Sequence, residues 1–433
     1  MKKKIKDVIV IGFALFAMFF GAGNLIFPPS LGNMTGSSYL LAMIGFILTG
    51  VGLPLLGILA CANYDGQFSN ITDKIGTKFS LIVNMALMIV LGPLLVIPRT
   101  AATTYELGVQ PLFGDINPLV IIIIYFIINL FFVLKPSSII DIIGTVLTPT
   151  LLVMLSSIII KGIVSPFGEI APSKIDSVFP SALLEGYQTM DVLGSVILAA
   201  IVVASIKAKG YKKKNEIINL SLKAGLISVT GLALIYGGLT YLGAQTSAVH
   251  EGVSRSFLVI TVAKSTLGTL GMVALGIAVS LACLTTSIGV SATVCEYFSN
   301  KFEKLSYKTS AFILTAISIF IASMGVDSIV KFAVPILGVL YPLVIVLLLT
   351  SFIYDKIGKK VMAYTTYTAL TIGVLNTLAD LASISKLKDL LNIIPLNQLG
   401  FGWVLPSLFV FIITFILVKS TETKATEREV CTE

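Results

Sequence analysis

The run Gly21-Ala22-Gly23-Asn24 interrupts an apolar segment that extends from Val8 to Phe27 and closes on Pro28 and Pro29. Glycine weakens a helix and asparagine in hydrocarbon needs partners, so a plain membrane anchor has no use for them there. An opened helix exposes amides where it restarts and carbonyls where it stops. The N–H groups of Ala22 and Gly23, at the positive end of the restarting helix, suit a carboxylate. Carbonyls near Ala17 and Phe20 suit a cation. The same four residues also read as a glycine-lined seam between packed helices.

A second cluster, Glu185-Gly186-Tyr187-Gln188-Thr189-Met190-Asp191, places polar residues at the opening of another apolar run. An acid deep in a membrane faces a cavity or a partner and marks function. Asp191 can lend a backbone oxygen to an ammonium, form an ion pair or carry a proton. The alternative leaves it in the headgroup region, at the start of its span. A third cluster, Ala282-Cys283-Leu284-Thr285-Thr286-Ser287, sets three hydroxyls over nearly a full turn. Thr285 and Thr286 offer neutral oxygens to a hard monovalent cation, or helix–helix hydrogen bonds. Arg99 and Glu106 stand seven apart, on one helical face, and read as a structural or gating pair more readily than as substrate contacts. Arg99 could equally answer Asp191 or snorkel outward.

These groups must be positioned by membrane helices. The chain has 433 residues, 56% hydrophobic and 12% charged, with a mean hydropathy of +0.99. Soluble domains carry nearer 25% charge. Apolar runs long enough to cross a ~30 Å hydrocarbon core recur along the whole chain. They are continuous rather than alternating, which argues against a β-barrel. The reading is an all-α polytopic membrane protein with about twelve spans. They fall near 6–30 (broken), 38–62, 79–105, 117–134, 138–161, 186–206 (interrupted), 219–244, 269–298, 309–325, 329–354, 362–382 and 401–419. Met1 to Phe20 resembles a signal peptide, but the many spans after it favour a retained first helix.

With the N-terminus inside, 21 of the 30 Lys and Arg residues fall in cytoplasmic segments and 7 outside. The formal charge of +8 is therefore a topology signal and not a nucleic-acid surface. Cys61, Cys283, Cys295 and Cys431 imply no disulfide framework, and the one histidine, His250, cannot hold a metal alone. Loops 162–185 and 245–268 are long, and Arg255–Lys264 reads as a short amphipathic helix at the outer mouth.

The two interrupted helices are separated by five spans. An odd number inverts the second set, so 6–161 and 186–354 read as inverted repeats. Matching breaks in inverted repeats point to a midplane transport site. Residues 362–419 form two accessory spans, and 420–433 a cytoplasmic tail. An enzyme would want paired acids, a metal motif or a nucleophile with a base, and none is present. A channel would want a repeated filter or visible subunit symmetry.

Three stretches carry a resemblance: Gly12 to Pro29, Ile97-Pro98-Arg99-Thr100-Ala101-Ala102-Thr103, and Glu185 to Asp191. Together they resemble the five-plus-five inverted-repeat transporters of the amino acid–polyamine–organocation superfamily, the LeuT-type fold. The similarity is closer to the bacterial branched-chain amino acid:cation symporters, the BrnQ-like family. The resemblance implies carriage of leucine, isoleucine and valine with sodium or protons, sodium being a co-substrate and no cofactor being required. It implies a sodium held by carbonyls of Ala17, Phe20 and Ala282 and the side chains of Thr285 and Thr286. The substrate carboxylate would meet Ala22 and Gly23, and its ammonium the carbonyls of Gln188, Thr189 and Asp191, with Gly21 and Asn24 also in the substrate site. A second sodium would need Asn24, Thr189 and a seventh-span ligand such as Asn219 or Ser221. Phe19, Phe20 and Tyr187 would line the side-chain pocket. A carrier for another neutral or aromatic amino acid is the nearest alternative. The expected location is the bacterial cytoplasmic membrane, with both termini cytoplasmic and the bilayer as partner.

Overall fold

A computed structural model describes residues 2–135 and 148–430. Residues 138–147 of the expected fifth span, and Cys431, lie outside the described residues. Every regular element among the described residues is helical. In chain order they are α1 (Lys2–Phe19), α2 (Ala22–Thr35), α3 (Tyr39–Ile47), α4 (Leu53–Asn63), α5 (Phe68–Thr72), α6 (Thr77–Ile89), α7 (Val96–Thr103), α8 (Gln110–Phe113), α9 (Pro118–Val133) and α10 (Thr148–Val164). Then come α11 (Val178–Tyr187), α12 (Asp191–Ala208), α13 (Lys214–Ala244), α14 (Arg255–Lys301), α15 (Tyr307–Ala322), α16 (Val326–Ser351), α17 (Tyr354–Leu381), α18 (Ser385–Leu391) and α19 (Val404–Val430). Wider π-helical turns join α3 to α4 and α6 to α7, and continue α7 into α8.

Composition explains which faces are bare. α9 is apolar all round, as a membrane span is. Asn117 caps it by accepting from the Leu119 amide at 3.0 Å. Ile122, Tyr125, Phe126 and Val133 are buried, while Ile123, Ile127 and Phe131, spaced by four, form an exposed apolar stripe. Such a stripe is stable against lipid. Stretches Ala22–Asn63, Thr77–Phe113, Val178–Ala208, Lys214–Ala244, Arg255–Lys301 and Val326–Ser351 are long and apolar enough to cross a membrane.

The described chain forms two compact units. One comprises residues up to Gln67 with Met85–Ala333; the other comprises Phe68–Asn84 with the chain from Val334 onward. In the first, α13 lies along both α1 and α2 and so supports the two sides of the first break. Its approach to α2 is close: a methyl on Gly32 would fall 1.9 Å from the Thr240 carbonyl oxygen, and one on Gly243 2.1 Å from that of Pro29. Only glycine permits this crossing, as in other membrane helix pairs. α14 packs on α2, α7 and α10, α12 on α4, and α11 on α3. In the second unit α17 packs on α18 and α19.

Several expected boundaries move. The first span continues to Thr35, and the sixth begins at Val178 rather than 186. The sequence hides that start because Pro180 and Glu185 dilute an apolar face that α3 covers. The short helix expected at Arg255–Lys264 is real but continues into the eighth span through a turn at Gly268, whose φ of 59° suits glycine. Helix α19 runs to Val430, through most of the segment expected as a tail.

Candidate functional site

The first break spans Phe20 and Gly21. The Phe20 amide still reaches the Phe16 carbonyl at 2.8 Å, and then Gly21 turns extended, with φ −119° and ψ −161°. The Gly21 amide would normally close on Ala17. Instead it donates to Asn24 Oδ1 at 3.1 Å. The last carbonyls of α1 are thereby left without their helical donors, and the first amides of α2 have no preceding turn to bond. Pro28 and Pro29 lack N–H groups, which withdraws the helical donors of the Asn24 and Leu25 carbonyls as well.

The second break spans Gln188 to Met190. Gln188, Thr189 and Met190 close tight turns on Glu185, Gly186 and Tyr187, at 3.1, 3.3 and 3.0 Å. Met190 then adopts the left-handed region at φ 65°, and α12 restarts at Asp191. The Thr189 hydroxyl donates to the Gly186 carbonyl at 2.9 Å and accepts from the Asp191 amide at 3.3 Å. Asp191 is thus internal, not at the mouth of its span, because the span starts thirteen residues earlier at Val178.

Three side chains join the breaks. Asn24 Nδ2 donates to Asp191 Oδ2 at 2.6 Å and touches the Tyr236 hydroxyl closely. Tyr236 of α13 donates to the same Oδ2 at 3.2 Å. Asn24, Asp191 and Tyr236 are all buried. Tyr236 was not among the expected residues. Its only signal is a phenol in mid-span, which needs a partner in hydrocarbon. Asn219 and Ser221, the seventh-span residues singled out from the sequence, lie about four to five turns nearer the start of α13.

Arg99, 2% exposed, donates from Nη1 to the Gln188 carbonyl at 2.7 Å and from Nη2 to the Thr189 carbonyl at 3.2 Å. These are two of the three carbonyls expected to face a substrate ammonium. The guanidinium also stands 5.6 Å above the Phe27 ring, and a methyl on Gly23 would fall 2.8 Å from its Nη2. Arg99 therefore lies against the first break and bonds the second. Glu106 does other work: it accepts from the Ser256 hydroxyl at 2.5 Å and from the Val326 amide at 2.9 Å. The expected Arg99–Glu106 pairing fails in its premise. The turn from Thr104 to Val109 is π-helical, so a seven-residue spacing no longer keeps one face.

Of the expected cation ligands, Thr286 reaches the first break. Its hydroxyl lies 3.4 Å from the Phe20 carbonyl and 3.5 Å from that of Met18. Thr285 turns back on its own helix, donating to the Ala282 carbonyl at 2.9 Å. Ala17 is buried in the last turn of α1. Met18 is an oxygen donor that sequence spacing did not single out.

A small cavity of about 30 Å³ lies where these groups meet. Its polar lining includes Gly21, Ala22, Asn24, Arg99, Thr100, Thr189, Asp191 and Thr286. Its apolar walls include Met18, Phe19, Leu91, Val96, Ile197 and Val290. Of the three aromatic residues expected there, Phe19 lines it, whereas Phe20 stacks between Phe16 and Tyr236. That space holds one or two waters, not an amino acid, so this arrangement is closed around its centre.

Beyond the cavity, Arg255 at the start of α14 pairs with Glu185 of α11 at 3.2 Å. Its guanidinium stands 5.4 Å from the Phe27 ring, so one ring on α2 meets both Arg99 and Arg255.

Residues 4–421 match a protein family described as branched-chain amino acid transport protein. The chain is 38% identical over 427 residues to branched-chain amino acid permease BraB of Bacillus subtilis, covering 95% of this chain and 96% of that one. It is 34% identical over 412 residues to the branched-chain amino acid transport system 2 carrier protein of Pseudomonas aeruginosa, covering 92% and 93%. Among solved structures it is similar to the inward-facing conformation of Mhp1, with a TM-score of 0.63 at 13% identity over 96% of this chain and 91% of that one. It is similar also to MhsT in complex with L-phenylalanine, with a TM-score of 0.56 at 17% identity over 94% and 98%. At such identities the likeness is one of fold, and that fold is the LeuT type.

Proposed function

Because the chain belongs to the branched-chain amino acid transport protein family, we propose that it is a secondary symporter importing leucine, isoleucine and valine with sodium. It is a multi-pass bacterial membrane transport protein and not an enzyme. In this reading it resides in the cytoplasmic membrane with both termini inside, and rocks the broken-helix elements to alternate access.

The observation that carries the reading is the meeting at Gly21. Amides of α2 that can receive a carboxylate and carbonyls of α1 that can receive a cation flank one residue, with the Thr286 hydroxyl against the carbonyls. The sodium would be held there by the Met18 and Phe20 carbonyls and Thr286, with Ala17, Ala282 and Thr285 nearby. Substrate and ion would then favour the same arrangement of the two helix breaks, which is what coupling requires.

Labelled-leucine counterflow in proteoliposomes tests this. Uptake should require sodium and be competed by isoleucine and valine. Uptake unchanged when sodium is replaced by choline at fixed pH would remove sodium from the reading. One observation favours a second coupling: Asp191 is a buried carboxyl group at the second break, joined to the first through Asn24 and to α13 through Tyr236. A carboxylate so placed can carry a proton, and leucine accumulation driven by an imposed pH gradient alone would select that reading.

A further inference from the structure

The structure places a buried guanidinium and a buried carboxyl group on one small cavity. Arg99 comes from α7 and Asp191 from the restart of α12, and both line the space between the two breaks. Neither is an incidental surface charge: Arg99 is 2% and Asp191 5% exposed. Burying two ionised groups is costly unless each is well partnered, and in a membrane such groups face functional cavities. Each is oriented by neutral groups. Carbonyls of Gln188 and Thr189 fix the Arg99 fork, and Asn24 and Tyr236 share one oxygen of Asp191.

We propose that these two side chains read the two charges of the substrate. The inference rests on the reading of the protein as an amino acid carrier and deepens it. Arg99, whose guanidinium stands beside Gly23, receives the substrate carboxylate together with the amides of Ala22 and Gly23. Asp191, ionised, receives the ammonium, because the Gln188 and Thr189 carbonyls are engaged by Arg99. The substrate side chain then points to the aliphatic wall formed by Leu91, Val96, Ile197, Leu198 and Val290. A zwitterion presents both charges on one carbon and so satisfies cation and anion together. A molecule with one of the charges forgoes one of the two pairings. Selection for the α-amino acid backbone is on this account a matter of charge pairing, separate from selection for a branched side chain.

The test is competition against labelled leucine uptake in proteoliposomes of the full chain. Three competitors share the side chain: leucine, 4-methyl-2-oxopentanoate without an ammonium, and 3-methylbutylamine without a carboxylate. In the wild-type protein both half-molecules should compete at least about a hundredfold more weakly than leucine. Either one competing within about tenfold of leucine overturns the proposal without any variant. Asp191→Asn should weaken leucine about tenfold to a hundredfold while leaving the oxo acid nearly unchanged. Arg99→Gln should do the same to leucine while sparing the amine. Variants that lower leucine and both half-molecules equally would make the residues structural and overturn the assignment; Asp191→Glu and Arg99→Lys, which keep the charge, should recover part of the discrimination. If the wild type ignores leucine but sorts another neutral amino acid from its oxo acid and amine in this way, the branched-chain reading falls and the charge assignment stands.

Discussion

Thr286 sets its hydroxyl at the carbonyls of Met18 and Phe20, whereas its neighbour Thr285 turns back onto Ala282. The two residues should therefore separate in experiment. Thr286→Ala removes an oxygen from the carbonyl cluster, at about 1–3 kcal/mol, and should raise the half-saturating sodium concentration roughly tenfold or more. Thr285→Ala should raise it less, and equal effects would contradict the assignment of Thr286 as the ligand facing the break. Gly23 is a second residue whose chemistry is its lack of a side chain. A methyl there would lie 2.8 Å from Arg99 Nη2 and 3.0 Å from the Phe27 ring. Gly23→Leu should abolish leucine counterflow while the protein remains in the membrane, since it displaces Arg99 and covers the adjoining amides. Counterflow at the wild-type rate would rule out that placement. Residue types at Gly21–Asn24, Gln188–Asp191 and Thr285–Thr286 mark this chemistry in the sequence. Their partners Tyr236, Met18 and Phe27 do not stand out, because an isolated phenol, thioether or phenyl in an apolar span has no distinguishing spacing.

At the scale of elements, the second break depends on one left-handed residue that is not glycine. Holding Met190 at φ 65° costs on the order of 1 kcal/mol, maintained by the surrounding turns. Met190→Gly should be neutral or raise the melting temperature in detergent. Met190→Ile, β-branched and poorly tolerated at positive φ, should lower it and slow uptake. The opposite order would mean that the side chain, and not the backbone, matters at this position. The crossing of α2 and α13 makes a second element-level prediction. Gly32→Leu drives a side chain into the Thr240 carbonyl and should cost at least about 1–3 kcal/mol, read as a fall in thermal stability. An unchanged melting temperature would show that the two helices can separate without loss. The pair of Arg255 and Glu185 ties α14 to α11 over the same Phe27 that Arg99 covers. A double-mutant cycle with Arg255→Gln and Glu185→Gln should return a coupling of roughly 0.5–3 kcal/mol, and a cycle that sums to zero would make that contact incidental.

At the scale of the whole molecule, transport with one positive charge is worth ~2.3 kcal/mol per 100 mV, which at 1.36 kcal/mol per decade supports roughly 50-fold accumulation. Leucine uptake into proteoliposomes with equal sodium on both sides should therefore rise when the interior is made negative. Indifference to voltage would exclude net movement of one positive charge. Much of this molecule follows from the chain alone. Long apolar runs exclude a soluble fold, and glycine, asparagine and acid within two of them mark helices that must open, because backbone in hydrocarbon tolerates no unpaired groups except beside protein or a cavity. What sequence could not decide is which group answers which. Arg99 and Glu106, matched by spacing, part company because a π-helical turn lies between them. Gln188 and Thr189, expected to meet a substrate ammonium, instead hold the guanidinium of Arg99. Asp191, for which composition left a place inside its span or at the mouth of it, lies inside because α11 begins earlier than its hydropathy suggests. Local preference fixes where a helix breaks, but partners around the break come from helices far apart in the chain, and only their packing decides which charge each opened end receives.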